Sequence, residues 1–217
     1  MKLQHPIVQK DVAKIVKDIG KEAKQLSGKT ILITGGAGFL GSYFLAVFEE
    51  LNRMLLKNPC KVICVDNYIT GESKNILGDI TDRSFIFKKH DVSKPFRISG
   101  KIDYIIHAAG IASPVYYMKH PLETIEVATK GTQNMLELAR FKKVKTFVFF
   151  SSSEIYGDPH PKHIPTSETH RGQVSSIGPR ACYDESKRLG ETLCMTYFRL
   201  YNTPIRIIRP FNVMGQA

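Results

Sequence analysis

The sequence predicts an α/β protein built on a doubly wound parallel sheet. Three observations carry that expectation. Short apolar runs alternate with longer stretches of helical periodicity, most of the runs are continuously apolar, and the first of them leads straight into a glycine-rich turn. Continuous Ile, Val and Phe runs suit strands buried on both faces. Strand–helix alternation implies right-handed crossovers between parallel strands.

The 217 residues suffice for one domain or slightly more. Residues 1–28 place Val8, Val12, Ile15, Val16 and Ile19 at helical intervals, with Gly20 and Gly28 as punctuation. This predicts an amphipathic N-terminal helical extension ahead of a body covering 29–217. The expected strands are TILIT (30–34), KVICVD (61–66), SFIFKK (84–89), DYIIHA (103–108), KTFVFFS (145–151) and IRIIRP (205–210). Helices are expected at about 39–57, 121–140 and 182–201. The link between the third and fourth strands, DVSKPFRISGKI, is too short for a long helix.

Composition removes several function classes. The chain is 42% hydrophobic and 24% charged, ordinary for a protein with a real core. No apolar run reaches the ~18 residues needed to span a bilayer. The basic N-terminus lacks the apolar segment of a signal peptide, so a cytoplasmic location without membrane attachment is expected. Cysteines 60, 64, 182 and 194 form no CxxC pair and suit reduced thiols. Net charge is +11, but the cations are scattered and no basic run is interleaved with aromatics. The expectation is an anionic small-molecule ligand and no nucleic acid. His160 and His163 in HPKH have no third ligand nearby, so no metal is expected.

The turn TGGAGFLGSYF spaces Gly35, Gly38 and Gly41 three residues apart, after a strand and at the start of a helix. Small residues there let a pyrophosphate approach backbone N–H groups at a helix N-terminus and let that helix pack on the sheet. The second strand ends in Asp66, whose carboxylate can accept from ribose hydroxyls. No Arg follows it in DNYITG to receive a 2′-phosphate, so NAD is expected in preference to NADP. The body then becomes an NAD-binding Rossmann domain.

Near the C-terminal end, IGPRACYDESKR holds Tyr183 and Lys187 at i and i+4, on one helix face. A phenol with a pKa near 10 needs help to act as a base at neutral pH. A neighbouring ammonium and a cationic nicotinamide would both favour the phenolate.

With these residues and HDV (90–92), HAAG (107–110), SSSEIYGD (151–158) and RPFNVMG (209–215), the sequence from about Lys29 to Ala217 resembles the extended short-chain dehydrogenase/reductase family. Members of that family modify nucleotide sugars. IGPRACYDESKR, SSSEIYGDP and ASPVYYM are most similar to its UDP-glucuronate decarboxylase branch, which forms UDP-xylose. The resemblance implies catalytic roles for Tyr183, Lys187, Ser152 and Glu154. It implies a cofactor site of Gly35, Gly38, Phe39, Leu40, Gly41, Asp66, Asn67, Thr70, Asp91, Val92, Ala108 and Gly110, together with Tyr183 and Lys187. Tyr117, Asn134 and Asn212 are implied as contacts to a nucleotide-sugar substrate, preferably a UDP-sugar, and the family habit implies a homodimer.

The resemblance further implies oxidation at the sugar 4-position, then decarboxylation to UDP-xylose. The alternatives are 4,6-dehydration, 4-epimerisation, or cofactor binding without turnover. Two departures stand out. The branch carries a Lys and an Asn where this chain has Glu126 and Ala128. Family members also continue into a smaller substrate-gripping region, most of which this chain is expected to lack.

Overall fold

A computed structural model of the chain describes residues 5–70, 80 and 82–215. The first four residues of the expected N-terminal extension lie outside the described range. Six parallel strands form one sheet: β1 (Thr30–Thr34), β2 (Lys61–Asp66), β3 (Phe85–Lys89), β4 (Tyr104–His107), β5 (Thr146–Phe150) and β6 (Ile205–Ile208). Their order is β3-β2-β1-β4-β5-β6, so the chain starts in the middle and winds outward in both directions. The reversal falls between β1 and β4, where Thr34 pairs with His107. A crevice opens at such a switch point beyond the carboxyl ends of the strands.

The continuous apolar runs are explained by two cores, one on each face of the sheet. Alternate residues of a strand point to opposite faces. Thus Ile31 and Ile33 join Val62, Cys64, Leu45 and Phe48 on one side. Leu32, Ile63 and Val65 join Ile105, Met135, Phe147 and Phe149 on the other. The first face is covered by α1 (Pro6–Ile19) and α2 (Phe39–Met54), which pack on each other. Val8 and Val12 are the buried positions of α1, and Asp11 on that helix accepts a hydrogen bond from the Tyr43 hydroxyl of α2 at 3.2 Å.

Further along come α3 (Pro114–Lys119), α4 (Pro121–Glu126), α5 (Thr132–Lys142) and α6 (Ala181–Tyr201); α5 and α6 cover the second face. The single helix expected over 121–140 is instead α4 and α5 joined by a π-turn at Val127–Gly131. Its last residue, Gly131, is pressed against Val92, where an added Cβ would lie 3.0 Å from a Val92 methyl. Helix α3 was not expected; at six residues it is too short for periodicity to register, although Pro114 opens it. Between β3 and β4 the chain crosses without a helix. Among the described residues no helix is long and apolar enough to cross a membrane.

Candidate active site

The glycine turn links β1 to α2 at the switch point. Gly35 N–H donates to Val65 O at 2.9 Å, so the turn begins as an extension of the sheet. Its φ is +72°, a left-handed conformation that disfavours side chains. An added Cβ would also lie 2.7 Å from Ala109 N. A Cβ on Gly41 would fall on the Gly35 carbonyl, so the first turn of α2 depends on glycine for its seat.

Asp66, at the end of β2, ties this turn in place. Its Oδ2 accepts from Ala37 N–H at 2.9 Å and its Oδ1 from Tyr68 N–H at 2.8 Å. Each oxygen retains lone-pair capacity for a further donor. Asn67 Oδ1 accepts from Ile69 N–H, and Asp91 Oδ1 from Ser93 N–H.

The turn forms one wall of a cleft of about 930 Å³. Every residue expected in the cofactor site lines it: Gly35, Gly38, Phe39, Leu40, Gly41, Asp66, Asn67, Thr70, Asp91, Val92, Ala108, Gly110, Tyr183 and Lys187. So do Ser152, Glu154, Tyr117 and Asn212. Asn134 is the exception. It is not among the lining residues, because its amide donates to Val92 O at 2.9 Å and Lys94 O at 3.2 Å, clamping α5 to the loop after β3.

The floor of the cleft is built by α6. Its buried positions are Tyr183, Ser186, Lys187, Gly190, Cys194 and Tyr197, a stripe at helical spacing facing the sheet. Tyr183 and Lys187 are therefore both inward-facing and both buried. The Lys187 ammonium donates to Phe150 O at 2.7 Å and lies 5.8 Å from the centroid of the Tyr183 ring. Burial lowers its pKa to about 8. Gly110 stands opposite, where a Cβ would be 3.2 Å from Nζ.

The electrostatics of Tyr183 differ from the sequence expectation. Burial raises the phenol pKa, the Ser152 hydroxyl opposes this by hydrogen-bonding to it, and Glu154 and Asp184 add to the rise. Lys187 directs one of its three N–H donors to a backbone carbonyl, and at Tyr183 burial outweighs the Ser152 hydrogen bond that favours the phenolate. Ser152 also caps the short turn Ser153–Tyr156, accepting from Glu154 N–H at 3.2 Å. The cap fixes its oxygen while leaving the hydroxyl hydrogen to donate.

Behind the floor, His107 is fully enclosed. Its Nδ1 lies 2.7 Å from Thr34 Oγ1 and its Nε2 3.1 Å from Thr132 Oγ1. Burial first, then Lys187, lowers its pKa to about 3, so the ring is neutral and braces β1 against α5. Tyr117 is buried with its ring stacked on Tyr183 at 5.1 Å, and its hydroxyl has no protein partner. Cys182 is half-buried, with Sγ 3.7 Å from Tyr117 O.

Arg180 is a charged lining residue that the sequence reading did not single out. The Arg180 guanidinium pairs with the Glu154 carboxylate, and its Nε lies 4.0 Å from Asp184 Oδ2. The signal was the Arg three residues before Tyr183 in IGPRACY, on the preceding helical turn. Arg209, after β6, holds the neighbouring wall. It bonds both oxygens of Glu191 on α6 at 2.8 and 2.7 Å, the Tyr156 hydroxyl at 2.9 Å and Glu168 O at 2.7 Å. No group of three or more His, Cys, Asp or Glu that could hold a metal occurs among the described residues.

A glycine turn at the switch point, an acidic residue ending β2 and a Ser–Tyr–Lys floor together define a nucleotide-binding α/β protein with groups suited to proton transfer. Residues 31–217 match the NAD dependent epimerase/dehydratase family, and the chain belongs to that family. It is 42% identical over 187 residues to UDP-glucuronic acid decarboxylase 1 of Xenopus tropicalis, covering 86% of this chain and 42% of that protein. It is 41% identical over 188 residues to UDP-glucuronic acid decarboxylase 2 of Arabidopsis thaliana, covering 87% and 40%. Among solved structures, UDP-glucuronic acid 4-epimerase from Bacillus cereus in complex with NAD superposes with a TM-score of 0.63 at 28% identity, covering 86% of this chain and 58% of that one. The chain thus spans about two fifths of the length of these curated relatives.

Proposed function

We propose that the protein is an NAD-dependent enzyme acting on a nucleotide sugar through a 4-keto intermediate, with decarboxylation of UDP-glucuronate to UDP-xylose as the leading reading. One observation carries it: the Tyr183 phenol, the Ser152 hydroxyl and the buried Lys187 ammonium converge on the floor of the cleft that the glycine turn opens. The residues fit the cofactor. The turn has room only for glycine beside Ala108 and Ala109, the helix beyond it offers N-terminal donors, and Asp66 keeps acceptor capacity on both oxygens.

Bound NAD supplies a hydride acceptor that later becomes the donor. The protein's part is acid–base and positional. Tyr183 takes the proton from the sugar 4-hydroxyl, with Ser152 hydrogen-bonding the same oxygen. Lys187 holds positive charge beside them and would meet the nicotinamide ribose. The resulting ketone would lie β to the carboxylate carried on C5; as CO₂ leaves, the C5–C6 bonding pair would pass into a C4–C5 enolate, and a proton taken from water would then restore C5–H and the ketone. Tyr183 returns its proton as the 4-hydroxyl is restored.

Support comes from the decarboxylase names of the relatives and from the resemblance of the IGPRACYDESKR segment to that branch. A second reading, 4,6-dehydration, is favoured by Glu154. Its carboxylate stands near the phenol, where it could move a proton at C5 and C6. Incubation with UDP-glucuronate, followed by mass analysis for UDP-xylose, is the test. Turnover of NDP-hexoses alone would replace the decarboxylase reading with the dehydratase or epimerase one.

We also assign the protein to the cytoplasm, consistent with its four free thiols. We further infer a homodimer formed through α5 and α6, whose outer faces expose Phe141, Leu189, Phe198, Leu200 and Tyr201.

A further inference from the structure

We propose that Arg180 decides between acidic and neutral sugars, by exchanging the Glu154 carboxylate for a carboxylate on the substrate. The inference rests on the nucleotide-sugar reading above and adds a residue and a charge requirement to it.

A sugar carboxylate inside this cleft needs a cation, and the candidates are few. Of the cations lining the described cleft, the Lys187 ammonium is buried against Phe150 O. Arg180 differs. It stands on the turn before Tyr183, its side chain is about half exposed, and it presents a fork of donors. If the sugar 4-hydroxyl meets Tyr183, the substituent on the adjacent C5 falls to one side of the phenol. Arg180 and Glu154 pair with each other and line the same cleft as Tyr117 and Tyr183.

The guanidinium already holds one carboxylate, and this is what gives the site its selectivity. Glu154 is partly exposed and faces the cleft, so its bond to Arg180 can be exchanged. Asp184 Oδ2 lies 4.0 Å from Nε on the other side and stays behind as a backing charge. A substrate carboxylate replaces one carboxylate–guanidinium contact with another of the same kind. A neutral CH₂OH group cannot compensate for the loss of the Glu154 contact and leaves that pair closed. Exchange also frees Glu154 to face the sugar only when an acidic substrate is seated. Glu126, which occupies a position where the decarboxylase branch carries a Lys, is neutralised by Lys130 at 2.8 Å. It therefore leaves the task to Arg180.

The test is binding by calorimetry to the full chain loaded with NAD, using UDP-glucuronate, UDP-glucose and UDP. R180M is expected to weaken UDP-glucuronate about 10- to 100-fold, leaving UDP-glucose, UDP and NAD within two-fold. R180K keeps the charge but loses the fork and should fall between. E154Q removes the competing carboxylate and should tighten UDP-glucuronate several-fold without helping UDP-glucose. Equal losses for both sugar nucleotides in R180M, or unchanged affinity for UDP-glucuronate in both R180M and E154Q, overturn the role of Arg180 alone. A wild-type protein that binds NAD but neither UDP-sugar nor UDP overturns the functional reading, and this inference with it.

Discussion

The most informative side chain is Lys187, a buried cation on the cleft floor with no carboxylate partner among the described residues. Its pKa of about 8 lies below the model-peptide value near 10.4, and burial is the cause. The sign of its effect on stability follows. Between about pH 8 and 10.5 the unfolded chain binds the proton more tightly, so stability rises with pH across that window. Replacement by Met should remove this slope, as read by chemical denaturation at several pH values. Turnover should run the other way: if the charged ammonium is required, activity declines as pH rises through about 8. Tyr183→Phe should cost on the order of 10²–10⁴-fold in kcat, with a far smaller change in NAD affinity by fluorescence titration. Fluorescence loss of NAD binding would mean that the phenol serves the cofactor and not the proton. At this scale the sequence was informative about residue type and uneven about environment. Tyr183 and Lys187 were legible as a pair, because helical spacing alone puts them on one face. That the ammonium would spend its hydrogen bond on Phe150 O was not legible, since it depends on where β5 ends relative to α6.

Among elements, the six strands were legible to within about two residues: the central four are almost wholly buried, and the edge strands β3 and β6, although partly exposed, keep short apolar runs. The helix over 121–140 was less so. A π-turn changes register by one residue, too little to disturb an apolar pattern averaged over four turns. The hydrogen bonds of Asn134 were not legible for a related reason: they depend on which loop lies over α5, a fact absent from local sequence. Two substitutions test how the elements are joined. Leu45→Ala in α2, at a fully buried position, should destabilise by about 2–5 kcal/mol in urea denaturation. Arg209→Met removes the group that fastens Glu191, Tyr156 and the Glu168 carbonyl together. A loss of roughly 2–3 kcal/mol is expected, with weaker sugar-nucleotide binding because the turn bearing Ser152 and Glu154 loses its support.

For the molecule as a whole, the expected dimer makes a direct prediction. Phe198 and Leu200 are 47% and 66% exposed near the end of α6. Native mass spectrometry should find two chains, and the double change to Glu at these positions should give one. A monomer in the unaltered protein at tens of micromolar would remove the assignment. The doubly wound parallel sheet was legible from the succession of strands and helices. The electrostatic character of the cleft was not: a chain with net charge +11 lines its main cleft with Asp66, Asp91, Glu123, Glu126 and Glu154 against few cations. Bulk charge describes the outer surface, while the cleft is set by which helix ends and strand ends meet there.

The double engagement of Asp66 carries one more implication, for anyone wishing to re-engineer which dinucleotide the protein accepts. The carboxylate that would exclude a phosphorylated ribose is also the peg on which Ala37 and Tyr68 hang their amides. Swapping it for a neutral or basic side chain would therefore loosen the hinge between sheet and phosphate cradle at the same stroke. Retargeting would have to supply a substitute peg before it could relax the choice.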